Sequence, residues 1–143
     1  MSKLTLILGG ARSGKSDYAE QRGRESGKSV LFIATATAFD DEMIERIKHH
    51  RATRPLEWQT LEAPMNIAAE LDSKVSRLWS LQNQEILQSA QADRLWTSFI
   101  LLDCITLLIN NILFSLPEDS SFETVMQKVN DEINSLIAAR EKI

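Results

Sequence analysis

Gly9-Gly10-Ala11-Arg12-Ser13-Gly14-Lys15-Ser16 is the stretch that decides the fold. It fits the spacing Gly-x4-Gly-Lys-Ser throughout, and each part has a chemical reason. Glycines let the backbone turn its amides inward around a phosphate, using dihedral angles that side chains disfavour. Lys15 can reach the β- and γ-phosphates as a point charge, and the Ser16 hydroxyl can ligate Mg²⁺. The flanks supply the context that the motif requires. Leu4-Thr5-Leu6-Ile7-Leu8 before it reads as a buried strand, and Ser16 to about Glu25 after it reads as a helix weakened or ended by Gly23, Ser26 and Gly27. The helix N-terminus adds a dipole favourable to anions. A purine nucleoside triphosphate is the ligand this combination predicts.

Beyond the loop and its helix, Val30-Leu31-Phe32-Ile33-Ala34 repeats the apolar pattern. Two such runs joined by a helix make a βαβ unit, so the sheet is expected to begin parallel. Asp40-Asp41-Glu42 places three acids at the start of a helix, which suits the positive end of its dipole, and Pro55 sets its end near Arg54. Trp58 to Glu62 alternates as a short strand does. Pro64 suits a first helical position, opening a segment from Met65 to about Leu71. Residues from about 72 to 94 are polar and rich in Gln and Ser, and read as a helical excursion or an insertion. Phe99 to Asp103 is a third apolar strand ending in an acid, followed by a helix from Thr106 to Phe114. Phe122, Val125, Met126, Val129, Ile133, Leu136 and Ile137 then keep helical spacing. The expectation is an α/β fold with a mostly parallel sheet flanked by helices, in one domain over 1–143.

Composition narrows the function. With 143 residues, 43% hydrophobic and 25% charged, the chain has the profile of a soluble globular domain. A net charge of −4 gives no global basic field for nucleic acid. Arg46, Lys48, Arg51 and Arg54 cluster, but over an area suited to a phosphate group. Cys104 is the single cysteine, so no intrachain disulfide can form, and a cytoplasmic location fits. The apolar stretches around 99–114 are broken by Asp103, Asn110 and Asn111, which argues against membrane insertion.

Two further groups carry possible chemistry. Asp103, at a strand end, is placed to organise a metal beside the triphosphate, or simply to cap the helix that follows. The two histidines are adjacent, His49-His50, late in the acid-started helix. Adjacent residues cannot share a helix face, so they do not form a chelating pair. A neutral imidazole flanked by cations can instead attack a phosphate, against the alternative of two solvated surface histidines. His50 follows Met43 and Ile47 on the apolar side, which leaves His49 as the freer ring.

Taken in order, these segments resemble one family. The phosphate loop with Ala19-Glu20, then Ile33-Ala34-Thr35-Ala36, Asp40 to Met43, Arg46 to Arg51, Arg54-Pro55 with Trp58, Thr60 and Glu62, Leu101 to Thr106, and Asn111 to Phe114 are similar to the bifunctional adenosylcobinamide kinase / adenosylcobinamide-phosphate guanylyltransferases of cobalamin biosynthesis. The resemblance implies a P-loop NTPase-like (RecA-like) fold and two reactions. A nucleoside triphosphate, ATP or GTP, phosphorylates adenosylcobinamide. GTP then donates GMP to a histidine, and the GMP passes to adenosylcobinamide phosphate. By position the nucleophile is His49. The resemblance implies nucleotide contacts at Gly9, Gly10, Ala11, Arg12, Ser13, Gly14, Lys15 and Ser16, at Ala34, Thr35 and Ala36, at His50, Arg51, Ala52 and Thr53, and at Glu62 and Asp103, with Ser16 and Asp103 toward Mg²⁺. It also implies a homotrimer. Members of that family continue with two more apolar strands and a helix, so the sheet is expected to lack its last strands.

Overall fold

The computed structural model describes residues 3–38, 41–74 and 99–140. In chain order the elements are α1 (Lys15–Glu25), β1 (Val30–Ala34), α2 (Asp41–Ala52), β2 (Gln59–Glu62), α3 (67–74), β3 (Phe99–Asp103), α4 (Ile105–Ser115) and α5 (Phe122–Ala139). The three strands form a parallel sheet in the order β2-β1-β3. Parallel strands need covered faces, and their apolar composition meets that need. The α/β class expected from the sequence is the one found.

Register assigns the side chains to faces, because successive residues of a strand point to opposite sides. Phe32 lies between Thr60 and Leu101, and Ala34 between Glu62 and Asp103. These two rows share a face with Val30 and Phe99, and α1 packs there. A Cβ built on Gly23 of α1 would sit 3.0 Å from the Trp58 ring and 3.7 Å from Phe99. The helix therefore approaches the sheet more closely at Gly23 than a side chain would readily allow. On the opposite face, Leu31, Ile33, Leu61, Ile100 and Leu102 join the main core with Ala63, Ile67, Leu71, Leu108, Ile112 and Ala139. Val129, Ile133 and Leu136 carry α5 onto that core, and Ser121 caps α5 by accepting from the Thr124 amide at 3.1 Å.

Several expectations need correction. Leu4 to Leu8 is not a strand. Residues 3–10 carry no strand pairing, and Leu4, Leu6 and Leu8 are 63%, 69% and 81% exposed. An apolar run becomes a strand only when a neighbouring strand takes its amides and carbonyls. Among the described residues none is placed beside it, so the expected βαβ unit does not close. The parallel sheet begins with β1 instead.

Pro64 is not the first helical residue. It lies in a bend, and α3 starts three residues later, where the Glu132 carboxylate of α5 accepts the Asn66 and Ile67 amides at 3.1 and 2.9 Å. That tertiary cap sets the boundary. Gly23 lies inside α1 without ending it. The start of α5 is also less buried than its spacing suggests, with Phe122 and Met126 exposed. Of the expected excursion at 72–94, residues 72–74 continue α3 and the rest lie outside the described residues.

Candidate functional site

The phosphate loop leads directly into α1. Arg12 (φ 53°) and Gly14 (φ 84°) take left-handed conformations, and Gly14 is the N-cap of the helix. Alternation of right- and left-handed residues turns successive amides toward one side, which is the geometry that holds an anion. The Tyr18 amide donates to the Gly14 carbonyl at 3.0 Å, closing the first helical turn. The Lys15 ammonium donates to the Gly10 carbonyl and to Ser13 Oγ within the loop itself. Residues 9–14 are exposed, and Lys15 and Ser16 half-buried.

The ends of the strands supply the second part. Because the sheet is parallel, Glu62, Ala34 and Asp103 reach the same edge on the same face, side by side. Alanine between two acids leaves space where a larger side chain would fill it. A buried polar junction holds this edge in register. Thr35, with no exposed surface, donates its hydroxyl to the Cys104 carbonyl and accepts the Cys104 amide, both at 2.8 Å. Asn111 of α4 donates to the Thr35 and Pro64 carbonyls at 2.8 and 3.0 Å. The Thr35 amide donates to the Asp103 carbonyl at 3.3 Å, and that of Ala63 to the Ala34 carbonyl at 3.0 Å. One threonine and one asparagine thus join the segments that follow all three strands.

The third part is α2. Asp41 and Glu42 fall in its first turn and Arg51 in its last, each complementing the helix dipole, and His49 and His50 share that last turn. His49 is exposed and His50 half-buried, their rings 6.3 Å apart at 68°. This is the division the spacing predicted. The Thr53 hydroxyl donates to the His50 carbonyl at 3.1 Å. Arg51 forms an ion pair with Glu62, which brings the histidine helix to the acidic row. The Arg54 guanidinium lies over the Phe32 ring, 3.6 Å from its centroid, with Nη1 3.4 Å from Thr60 Oγ1. Burial lowers the pKa of this guanidinium from its ordinary value, Glu20 and Asp103 oppose that shift, and Arg51 adds to it. A shift of that sign leaves an arginine protonated at neutral pH.

Sequence spacing singled out the loop, Asp103 and the histidines, and the family resemblance singled out Glu62; the structure puts Glu62 and Asp103 in one row and joins the histidine helix to it through Arg51. The Glu20/Arg24 pair and the cross-fold role of Asn111 were not read from the sequence. The Glu20/Arg24 pair has i,i+4 spacing, which was a visible signal. Nothing local marked Asn111, because its partners are 47 and 76 residues away.

A family model for cobinamide kinase / cobinamide phosphate guanyltransferase matches residues 5–78. The bifunctional adenosylcobalamin biosynthesis protein CobU of Escherichia coli is 36% identical over 144 residues, covering 97% of this chain and 68% of that protein. The chain belongs to this family. The Salmonella typhimurium CobU is equally similar at 36% identity. The corresponding CobP of Pseudomonas aeruginosa is 47% identical over 108 residues, which are 76% of this chain. The match spans about half (51%) of the Pseudomonas protein's length and about two thirds (68%) of the enterobacterial ones. The family match includes the phosphate loop, β1, α2 and β2. No described helix is long and apolar enough to cross a membrane.

Proposed function

We propose that the chain works on a nucleoside triphosphate as an adenosylcobinamide kinase and adenosylcobinamide-phosphate guanylyltransferase, with His49 as the nucleophile. The observation that carries the reading is the joining of the histidine helix to the acidic strand ends, on the sheet face against which the helix after the phosphate loop also packs. The loop before α1 has left-handed residues at Arg12 and Gly14, Glu62 and Asp103 end the two strands that flank β1 on the α1 face, and Arg51 pairs the end of α2 with Glu62. The names of the relatives, each a bifunctional adenosylcobalamin biosynthesis protein, support the substrate assignment.

In the kinase reaction, the substrate hydroxyl oxygen attacks the γ-phosphorus of ATP or GTP, and the bond to the β-phosphate bridging oxygen breaks to release the diphosphate. Lys15 and the loop amides hold the phosphates and offset the charge that develops on them. In the second reaction, an imidazole nitrogen of His49 attacks the α-phosphorus of GTP and pyrophosphate leaves. A phosphate oxygen of adenosylcobinamide phosphate then displaces the imidazole, which breaks the P–N bond and yields adenosylcobinamide-GDP. Splitting the transfer this way replaces one hard displacement with two easier ones.

The Ser16 hydroxyl and the Asp103 carboxylate are the residues that would hold Mg²⁺. They are hard oxygen donors, and one or two protein oxygens suffice because Mg²⁺ takes its remaining ligands from phosphates and water. The ion would neutralise phosphate charge. A three-carboxylate cage is therefore not needed, and none occurs among the described residues.

The test is labelling with α-³²P GTP and Mg²⁺. The expected product is a protein–GMP adduct that is acid-labile and base-stable, absent in His49→Ala and retained in His50→Ala. An adduct that persists at the parent level in His49→Ala refutes the assignment.

A further inference from the structure

The two halves of the proposed site ride on different helices, the phosphate loop on α1 and His49 on α2. Helix α2 has no buried residue, so apolar packing alone does little to fix where His49 sits. Polar anchors at its C-terminal end do that work. Arg24 of α1 donates to the Thr53 carbonyl at 3.3 Å and lies over the Trp58 ring at 5.7 Å. Arg54 stacks on Phe32. Both guanidiniums relate to one carboxylate on α1. Glu20, with a side chain 7% exposed, accepts from Arg24 at 3.1 Å and is the largest compensating charge for Arg54. A carboxylate this deeply buried has little solvent to orient it, so the Arg24 guanidinium bonded to it does so, and it orients Arg24 in return.

We infer that Glu20 is a positioning residue: through Arg24 it fixes the end of the histidine helix relative to the phosphate loop on its own helix. This deepens the reading under Proposed function and rests on it for the role of His49. The hydrogen-bond partner of Glu20 is Arg24 rather than either histidine, so Glu20 acts through that arginine. Its loss therefore leaves the loop able to bind nucleotide while the attacking ring becomes misplaced.

The experiment compares the full chain with Glu20→Gln, which keeps the volume and removes the charge. Three quantities are read: the Kd for GTP, the rate constant of protein–GMP formation at saturating GTP, and amide hydrogen exchange by residue. The expected result is a Kd within about twofold, a rate constant lowered at least tenfold, and exchange at the Thr53 and Arg54 amides raised at least tenfold. Ile33 and Leu101 should keep their protection. Arg24→Met, altering a half-exposed side chain, should give the same pattern and serves if Glu20→Gln fails to fold. A parent-like rate constant together with parent-like exchange at Thr53 and Arg54 overturns the inference. So does a loss of GTP affinity as large as the loss of rate. If the parent itself forms no adduct, the reading of His49 fails. Exchange at Thr53 and Arg54 in the variant then still decides whether Glu20 holds the helix end.

Discussion

Thr35→Val tests whether the buried junction behind the strand ends holds by hydrogen bonding or by packing. The two side chains have nearly the same shape, so the change removes a hydroxyl and opens little space. It takes away the acceptor of the Cys104 amide and the donor to the Cys104 carbonyl, both at 2.8 Å, at a position with no exposed surface. A buried amide left unpaired costs about 1–3 kcal/mol, and the bond to the carbonyl contributes about 1 kcal/mol more. The expected loss is about 2–4 kcal/mol, or a fall in Tm of about 6–12 °C at roughly 3 °C per kcal/mol for a domain of this size. Thr35→Ser keeps both hydrogen bonds and loses one methyl, a cost of about 1 kcal/mol. Urea and thermal unfolding followed by circular dichroism give both numbers. If the serine variant is the less stable of the two, packing of the methyl governs the junction and its hydrogen bonds do not.

Gly23→Ala should be neutral to destabilising by about 2 kcal/mol, since a clash with the Trp58 ring at 3.0 Å opposes about 1 kcal/mol of helix propensity gain; a rise in Tm would contradict the close approach. Glu132→Ala should lower the urea midpoint by the equivalent of about 1–2 kcal/mol, because the Asn66 and Ile67 amides lose their cap, with Glu132→Gln between it and the parent. Lys15→Met should weaken triphosphate binding at least tenfold by calorimetry and move Tm by less than about 2 °C, because the ammonium's hydrogen bonds lie within an exposed loop.

Much of this arrangement was legible from local sequence. Val30–Ala34 and Phe99–Asp103 are found where their apolar runs predicted. The acid-started helix ends two residues before Arg54, because Pro55 excludes helical geometry just ahead of it. What failed was whatever depended on a distant partner. Leu4 to Leu8 has the composition of a strand, but pairing is a property of two segments. Pro64 suits a helix start, yet a carboxylate 65 residues away from Ile67 determines where that helix begins. At the site, the phosphate loop announces itself because its chemistry is contiguous in sequence. Asn111 acts across the fold and carries no such local mark, and the i,i+4 spacing of Glu20 and Arg24 marks a pair without showing what Arg24 reaches.

The two sheet faces divide the work, and strand polarity explains how. Leu31, Ile33, Leu61, Ile100 and Leu102 all point into the layer covered by α3, α4 and α5, which holds the main core. The other face carries Phe32 and Leu101 at mid-strand, then turns polar at the C-terminal edge with Glu62, Ala34 and Asp103. In a parallel sheet all three strands deliver their ends to that one edge, so acids from β2 and β3 come to flank Ala34 although 41 residues separate them in the chain (103 − 62). The helix that follows the phosphate loop packs on the same face, and its Glu20 lies near the cations that close the end of α2. The helix behind the phosphate loop, the acidic row and the end of the histidine helix therefore meet one sheet face, opposite the main core. Ligands of open α/β sheets gather at carboxyl ends of strands for this reason. Here a charge pair within one helix, Glu20 with Arg24, is the element that links that general geometry to the one ring proposed to do chemistry.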